Sequence, residues 1–104
     1  MTTRTPQRIL SPSSERAEYL AEVLKAVAHP LRLRLVAALV EGNAHVTALS
    51  ERLGAPQPIV SQQLRILRMR GLVDVTREDG FAVYRIAEPR LRELVRCMEG
   101  CTVR

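Results

Sequence analysis

The spacing of apolar residues predicts four helices before Gly71. Apolar side chains recur three or four positions apart, as they do along one face of an α-helix. The stripes of the first two helices comprise Leu20, Val23, Leu24 and Val27, then Leu31, Leu35, Ala38 and Leu39. Pro30 separates these helices, because a proline disfavours helical geometry in the residue before it and suits a first helical turn. His29, just before Pro30, is expected to have a structural role.

A short third helix and a longer fourth helix follow, joined by a tight turn. His45-Val46 is a predicted extended link, Thr47 is the predicted N-cap of the third helix, and Gly54 ends that helix. Pro56 and Pro58 stand at the start of the fourth helix, where a missing amide donor is tolerated. Its predicted apolar stripe comprises Ile59, Val60, Leu64, Leu67 and Met69. Two helices joined by a glycine-containing turn form a helix-turn-helix.

Alternation of apolar and polar side chains replaces the helical spacing after Gly71. Residues 72–77 and 81–86 alternate on either side of Glu78-Asp79-Gly80, which predicts a β-hairpin. Pro89 then opens a last helix, whose apolar positions are Leu91, Leu94, Val95 and Met98. The predicted fold class is therefore mainly α with a small β-hairpin wing, a winged helix-turn-helix.

Length, composition and charge predict one small domain with an anionic partner. The chain has 104 residues, of which 46% are apolar, and this composition excludes a disordered chain. The net charge is +5, and all but one of the 16 basic residues are Arg. Arginine suits planar recognition of phosphate and guanine. Residues 1–13 are polar and are predicted to form a flexible N-terminal arm before a single folded domain, residues 14–104.

The expected location of the chain is the cytoplasm, with no membrane association. No apolar run approaches the roughly 20 residues that a membrane span needs, and residues 1–10 lack the apolar segment of a secretory signal. The 2 cysteines are too few for the disulfide framework of a small secreted fold.

The polar face of the fourth helix predicts a contact with duplex DNA. A recognition helix presents its N-terminal, solvent-facing side chains to base edges, where Gln pairs with adenine and Arg with guanine. Arg77, beside the hairpin tip, suits the minor groove, although phosphate would repel Glu78 and Asp79. Arg68 and Arg70 are predicted phosphate contacts. The predicted DNA-binding residues are Gln57, Pro58, Ser61, Gln62, Gln63, Arg65 and Arg77. A solvated helix face is the alternative, but it does not explain the tight turn, the glycine stop and the basic wing together.

Two segments carry a family resemblance. Residues 24–39, LKAVAHPLRLRLVAAL, resemble the start of the second helix in arsenic-repressor-type (ArsR/SmtB) transcription factors. Residues 60–73, VSQQLRILRMRGLV, resemble their recognition helix and the step into the wing. The resemblance covers roughly residues 20–98. It implies a homodimeric winged-helix repressor that binds an inverted-repeat operator and dimerises through the first and last helices. It also implies release from DNA when an effector binds.

The chain departs from the family pattern at the start of the recognition helix and at the usual sensor sites. Pro56 stands where the family usually has Ser, and Pro58 replaces another small polar residue, which affects the first base contacts. The third helix lacks the Cys-x-Cys of many metal-sensing relatives. The last helix has Glu but no His, unlike the zinc-binding group, and Ala37 falls near the second-helix Cys of persulfide-sensing relatives.

Cys97 and Cys101 are the remaining candidates for sensing. Residues four apart share one helical face, with Cβ atoms about 6 Å apart. A disulfide needs about 3.5–4.5 Å, so the helix end would have to unwind, which Gly100 permits. Two thiolates also suit a soft ion such as arsenite, cadmium or lead, and a dimer could supply four. Incidental thiols at a frayed end are the alternative. His29 and His45 have no partner at metal-ligand spacing.

Three hypotheses follow. The first is a repressor that an effector at the cysteines releases from DNA. The second is a constitutive DNA-binding regulator without cysteine sensing. The third is a small thiol redox protein, but the chain lacks a Cys-x-x-Cys motif and a nucleophile–base pair, so we expect that it is not an enzyme.

Overall fold

Five helices and a small sheet make up the described part of the chain, residues 14–101 of this computed structural model. The helices are α1 (Ser14–Val27), α2 (Pro30–Glu41), α3 (Val46–Leu53), α4 (Gln57–Met69) and α5 (Arg90–Glu99). The strands are β1 (Ala44–His45), β2 (Val73–Glu78) and β3 (Phe81–Ile86). This order confirms the prediction of four helices, a hairpin and a last helix. The predicted arm, residues 1–13, lies outside the described residues, as do residues 102–104.

The sheet has one strand more than the predicted hairpin. The strand order is β1-β3-β2, and both pairings are antiparallel. His45 pairs with Val83, so the predicted link before α3 is a strand at His45, while Val46 already belongs to the helix. The hairpin turns at Asp79 and Gly80, which both have positive φ (52° and 82°). Two such residues form the two-residue turn that matches the twist of a β-hairpin.

Histidine side chains cap two of the helices. Nδ1 of His29 accepts a hydrogen bond from the backbone N–H of Leu31 (3.2 Å), which confirms its structural role at the start of α2. Nδ1 of His45 accepts from the backbone N–H of Ala48 (3.2 Å). The prediction of Thr47 as the cap of α3 is therefore wrong, because the helix begins one residue before it.

The core lies between α2, α4 and the helices that surround them. Its buried apolar residues are Ala26, Val27, Leu35, Val36, Ala38, Leu39, Leu49, Val60, Leu64, Leu67, Leu72, Val73, Ile86, Leu91 and Val95. Ile59 and Met69 were predicted to belong to the α4 stripe but are 42% and 75% exposed. The helical period explains this, since Met69 lies nine positions after Val60 and so about 180° away from it. None of the helices within residues 14–101 has the length and apolar character needed to cross a membrane.

Candidate nucleic-acid interface

Helix α4 separates an apolar side from a polar side. Val60, Leu64 and Leu67 recur at helical spacing and are fully buried against the rest of the domain. Ser61, Gln62 and Arg65 are exposed, as are Gln57 and Pro58 at the start of the helix. The buried side fixes the rotation of α4 about its own axis, and the exposed polar side is left available for a partner.

The turn between α3 and α4 is held by three contacts to its backbone. Gly54 has φ 65°, a left-handed conformation that glycine adopts without steric cost. The hydroxyl of Ser50 donates to the carbonyl of Ala55 (2.5 Å), whose backbone N–H donates to the Ser50 carbonyl (3.1 Å). Nη2 of Arg34 donates to the carbonyl of Leu53 (2.9 Å). These bonds satisfy carbonyls at the turn and hold the two helices in a fixed relation.

The start of α4 has no side-chain cap. Pro56 occupies the N-cap position and Pro58 the second helical position, as predicted. Nε2 of Gln57 donates to the hydroxyl of Thr47 on α3 (2.9 Å), and both side chains are exposed. This contact ties the first residue of α4 to α3 and leaves the side-chain carbonyl of Gln57 available as an acceptor.

Gln63 differs from the other predicted DNA-binding residues. It is only half-exposed, and its Oε1 accepts a hydrogen bond from Nη1 of Arg32 on α2 (2.8 Å). Gln62 before it is exposed and Leu64 after it is buried, so Gln63 lies at the boundary between the polar and the apolar side of α4. The structure therefore groups Gln57, Ser61, Gln62 and Arg65 on one surface and turns Gln63 towards α2.

The arginines of α4 have different surroundings. Arg65 and Arg68 are exposed, and neither has an ion-pair or hydrogen-bond partner within residues 14–101. Arg70, the C-cap of α4, instead forms an ion pair with Glu22 of α1 (3.0 Å). The carboxylate of Glu22 competes with a phosphate for this guanidinium and offsets its charge. Arg68 is thus more accessible to a phosphate than Arg70.

The wing carries charges that partly neutralise each other. Nη1 of Arg77 donates to the carbonyl of Gly80 (3.2 Å), which places this guanidinium at the hairpin tip, as predicted. Glu78 forms an ion pair with Arg85 (2.9 Å) and also accepts from the hydroxyl of Thr76 (3.2 Å). Because Arg85 offsets the charge of Glu78, the repulsion between Glu78 and a phosphate is weaker than the sequence alone predicts.

Phe81 is a feature of the wing that is not among the residues predicted to form the site. It is 58% exposed at the start of β3, and its ring stacks on the imidazole of His45 with 5.3 Å between centroids. The signal was present in the alternation, because Ile86 is buried and a residue five positions earlier points to the opposite face.

The two cysteines lie at the end of α5. Both are exposed free thiols. The helix ends at Glu99 and Gly100 is its C-cap, so Cys101 follows the helix instead of continuing it. The backbone N–H groups of Gly100 and Cys101 still donate to the carbonyls of Cys97 (3.2 Å) and Met98 (2.9 Å). No cluster of three or more His, Cys, Asp or Glu side chains that could hold a metal is found in the described part of this chain.

An apolar groove runs between α1 and α5. It has a volume of about 460 Å³ and is lined by apolar side chains of both helices. Tyr19 and Leu24 are among them and remain 53% and 55% exposed. Leu20, Val23 and Leu94 line the same groove, which also has charged side chains at its rim. In a single chain, the groove therefore leaves apolar side chains of both helices in contact with solvent.

Three comparisons with known proteins agree with this geometry. The Biofilm growth-associated repressor of Xylella fastidiosa (strain Temecula1) is 38% identical over 93 residues, which cover 89% of this chain and 82% of that protein. The crystal structure of the transcriptional repressor BigR from Xylella fastidiosa has a TM-score of 0.78 and 38% identity, covering 86% of this chain and 93% of that one. The solution structure of the homodimeric winged helix-turn-helix DNA-binding domain of Mb0332 from Mycobacterium bovis has a TM-score of 0.74 and 30% identity. The match covers 84% of this chain and 83% of that one.

The fold and the exposed face of α4 define a winged helix-turn-helix protein, which confirms the predicted fold class. A family model described as "Bacterial regulatory protein, arsR family" matches residues 29–75. The chain belongs to this arsR family of bacterial regulatory proteins, as the resemblance of its sequence indicated.

Proposed function

We propose that the chain is a homodimeric, sequence-specific repressor that places helix α4 of each protomer in a major groove of duplex DNA. The class of function, transcriptional repression, is supported by the family and by relatives that are named repressors. The observation that carries the proposal is the exposed polar side of α4, which is backed by fully buried apolar residues. Such a helix is held by its buried side and presents polar side chains to a partner, of which Ser61, Gln62 and Arg65 make no side-chain hydrogen bond within residues 14–101.

The base contacts are assigned to the side chains that share this surface. Gln57 and Gln62 have the donor–acceptor pair that matches adenine, and Arg65 has the fork that matches guanine. Ser61 suits a base edge or a phosphate. Gln63 is left out of this set, because its carbonyl already accepts from Arg32. Arg68 and Arg77 contact phosphate and the minor groove, where a cation is favoured.

The dimer forms through the groove between α1 and α5. Tyr19 and Leu24 stay half-exposed in a single chain, although leucine is among the side chains that are most often buried. A second copy would cover them and enlarge the small core of a 104-residue domain. The two recognition helices would then lie about one helical turn of DNA apart, roughly 34–36 Å, on an inverted repeat.

The DNA proposal is tested by selection from a random duplex library, followed by fluorescence anisotropy on the selected sequence. Arg65→Ala should weaken binding about 5- to 150-fold, since a bidentate base contact is worth roughly 1–3 kcal/mol. Arg96→Ala is the matched control, because it removes the same charge from an exposed position on α5. Equal losses in both variants would contradict a specific contact at Arg65, and the absence of any selected sequence would contradict the proposed function.

We propose further that an effector acts on Cys97 and Cys101 and lowers the affinity for DNA. Both thiols are exposed, and they lie at the end of a helix that also lines the groove. A soft ion such as arsenite, cadmium or lead would be bound by both sulfurs. An oxidant would instead join them, taking up the two electrons that the thiols lose as two protons are released. Either event would shift the end of α5 and, with it, the dimer surface.

Cysteine variants test whether soft-ion binding or oxidation at these thiols lowers the affinity for DNA. The Cys97→Ser and Cys101→Ser variants, alone and together, are titrated with the selected duplex in the presence of arsenite or of a disulfide-forming oxidant. We expect the wild-type protein to lose affinity about 5- to 150-fold, the range typical of coupling between two sites. The double variant should show no response. A full response in the double variant would place the sensor elsewhere, and no response in the wild type would favour a constitutive regulator.

A further inference from the structure

Arg32 makes two hydrogen bonds that reach in different directions from α2. Its Nε donates to the carbonyl of Ala26 in the last turn of α1 (2.5 Å), and its Nη1 donates to Oε1 of Gln63 on α4 (2.8 Å). The side chain is half-buried between the three helices. One guanidinium therefore joins α1 to α4 through α2.

Both bonds bring a charged donor to a neutral acceptor on a neighbouring helix. The carbonyl of Ala26 belongs to the last turn of α1, where backbone acceptors have no partner within the helix. A cation at the C-terminal end of a helix is also favoured by the helix dipole. Oε1 of Gln63 is the acceptor of a half-buried amide. Hydrogen bonds in which the donor is charged are roughly twice as strong as neutral ones.

A second polar contact joins the same two helices at the surface. Arg70, the C-cap of α4, pairs with Glu22 in the middle of α1 (3.0 Å). Both side chains are about half-exposed, at 52% and 44%, so solvent screens this pair and it adds little rigidity. The half-buried bridge through Arg32 is the stiffer of the two connections.

The two helices that Arg32 joins have different roles in the proposed function. α1 lines the apolar groove through Tyr19, Leu20, Val23 and Leu24, whereas α4 carries the base-contacting side chains. The angle between α1 and α4 within one protomer thus fixes how each recognition helix stands relative to the two-fold axis. That angle determines the distance between the two recognition helices and their relative rotation.

We infer that Arg32 is a positioning residue, which with Gln63 couples the dimer surface to the recognition helix and makes the protein selective for the spacing between half-sites. This inference rests on the proposed function. It gives Gln63 a role within the protein, because this half-buried residue of the recognition helix turns towards α2 and not towards the exposed polar side. Arginine is required at position 32, because a lysine ammonium is a single point and cannot hold the two acceptors in a fixed fork geometry.

The experiment measures binding to a family of duplexes that differ only in spacer length. The duplex selected by the wild-type protein is compared with duplexes whose spacer is one base pair shorter or longer. One base pair changes the half-site separation by about 3.4 Å and the rotation by about 35°. The proteins compared are the wild type and the Arg32→Lys, Gln63→Leu and Gln63→Glu variants. Arg52→Lys serves as the matched control, because Arg52 is exposed and its ion pair with Glu41 joins α3 to α2, with no bond to α1 or α4.

The expected result is a loss of selectivity for spacer length and not simply a loss of affinity for DNA. If the wild type prefers its selected spacer about tenfold, Arg32→Lys and Gln63→Leu should reduce this preference to about threefold or less, within the range of mutations that alter coupling. Gln63→Glu keeps the acceptor and should retain the preference, as should Arg52→Lys. If Arg32→Lys does not fold, Gln63→Leu still tests the inference, because it removes the acceptor and leaves Arg32 in place. An unchanged preference in both variants would overturn the inference, whereas no binding by the wild type would overturn the proposed function instead.

Discussion

The ring of Phe81 stacks on the imidazole of His45, with 5.3 Å between centroids and 26° between ring planes. His45 is also the N-cap of α3 and lies in β1, which pairs with β3. One histidine thus connects the end of the wing to the first helix of the helix-turn-helix.

Phe81→Ala should therefore loosen the wing without unfolding the domain. An aromatic pair contributes about 0.5–1.5 kcal/mol beyond the area it buries, so the free energy of unfolding should fall by about that amount. Urea denaturation measures the change. Phe81→Tyr is the control, because it keeps the ring and should stay within about 0.5 kcal/mol of the wild type. A Tyr variant as unstable as the Ala variant would show that the stack is not the source of the effect.

His45→Ala should destabilise α3, whereas Thr47→Val should not. Loss of an N-cap acceptor costs about 0.5–2 kcal/mol, and Nδ1 of His45 is that acceptor in α3. The loss of the stack on Phe81, which Phe81→Ala measures separately, adds to this cost. Thr47 only accepts from Gln57 at the surface, so its replacement should change stability by less than about 0.5 kcal/mol. Thermal unfolding of the two variants compares them directly. A larger loss in Thr47→Val than in His45→Ala would restore Thr47 as the cap.

The cap of α3 shows where prediction from sequence reached its limit. Helices α1 to α5 follow from local spacing and from proline and glycine positions, and these signals were sufficient. Histidine is not among the residues that usually cap helices, so N-cap preferences favour Thr47 over His45. Strand β1 has only two residues, and two residues show no period. It forms because β3 offers a free edge, which is a tertiary effect.

The candidate site shows the same division between local and tertiary information. The polar side of α4 could be predicted, because Ser61, Gln62 and Arg65 fall opposite a buried stripe. The different role of Gln63 could not be predicted, since its partner Arg32 lies 31 positions earlier in the chain. Polarity alone places Ile59 and Met69 in the stripe, but both are exposed, and the helical period turns Met69 away from Val60.

Leu64→Ala and Met69→Ala should have very different effects on stability. Leu64 is fully buried, so its truncation should cost about 2–5 kcal/mol through lost burial and the cavity that remains. Met69 is 75% exposed, so its truncation should change stability by about 0.5 kcal/mol or less. Chemical denaturation at equal protein concentration measures both. A cost above about 2 kcal/mol for Met69→Ala would indicate that a second copy or another surface covers this side chain.

Leu24→Glu should convert the proposed dimer into a folded monomer. Leu24 is 55% exposed in one chain and lines the groove between α1 and α5. A carboxylate without a partner in an apolar interface is strongly unfavourable, while at an exposed position in a monomer it is tolerated. Sedimentation velocity measures the mass, and circular dichroism checks the fold. Ala21→Glu is the control, because Ala21 is exposed on α1 and does not line the groove. A dimer that survives Leu24→Glu would place the interface elsewhere.

Arg65 and Arg68 should differ in how their loss changes the salt dependence of DNA binding. Both are exposed and have no partner within residues 14–101, but Arg65 lies nearer the start of α4 and shares its surface with Gln62. We therefore expect Arg65 to contact a base and Arg68 to contact a phosphate.

A phosphate contact releases a counterion. Arg68→Ala should therefore reduce the slope of log affinity against log salt concentration by about 0.9 and weaken binding to all duplexes alike. Arg65→Ala should keep the slope and relax the preference at one base pair. Anisotropy titrations between about 50 and 200 mM salt, on the selected duplex and on a scrambled one, separate the two effects. The opposite pattern, with the slope lost at Arg65 and the base preference lost at Arg68, would move the base-contacting surface towards the end of the helix.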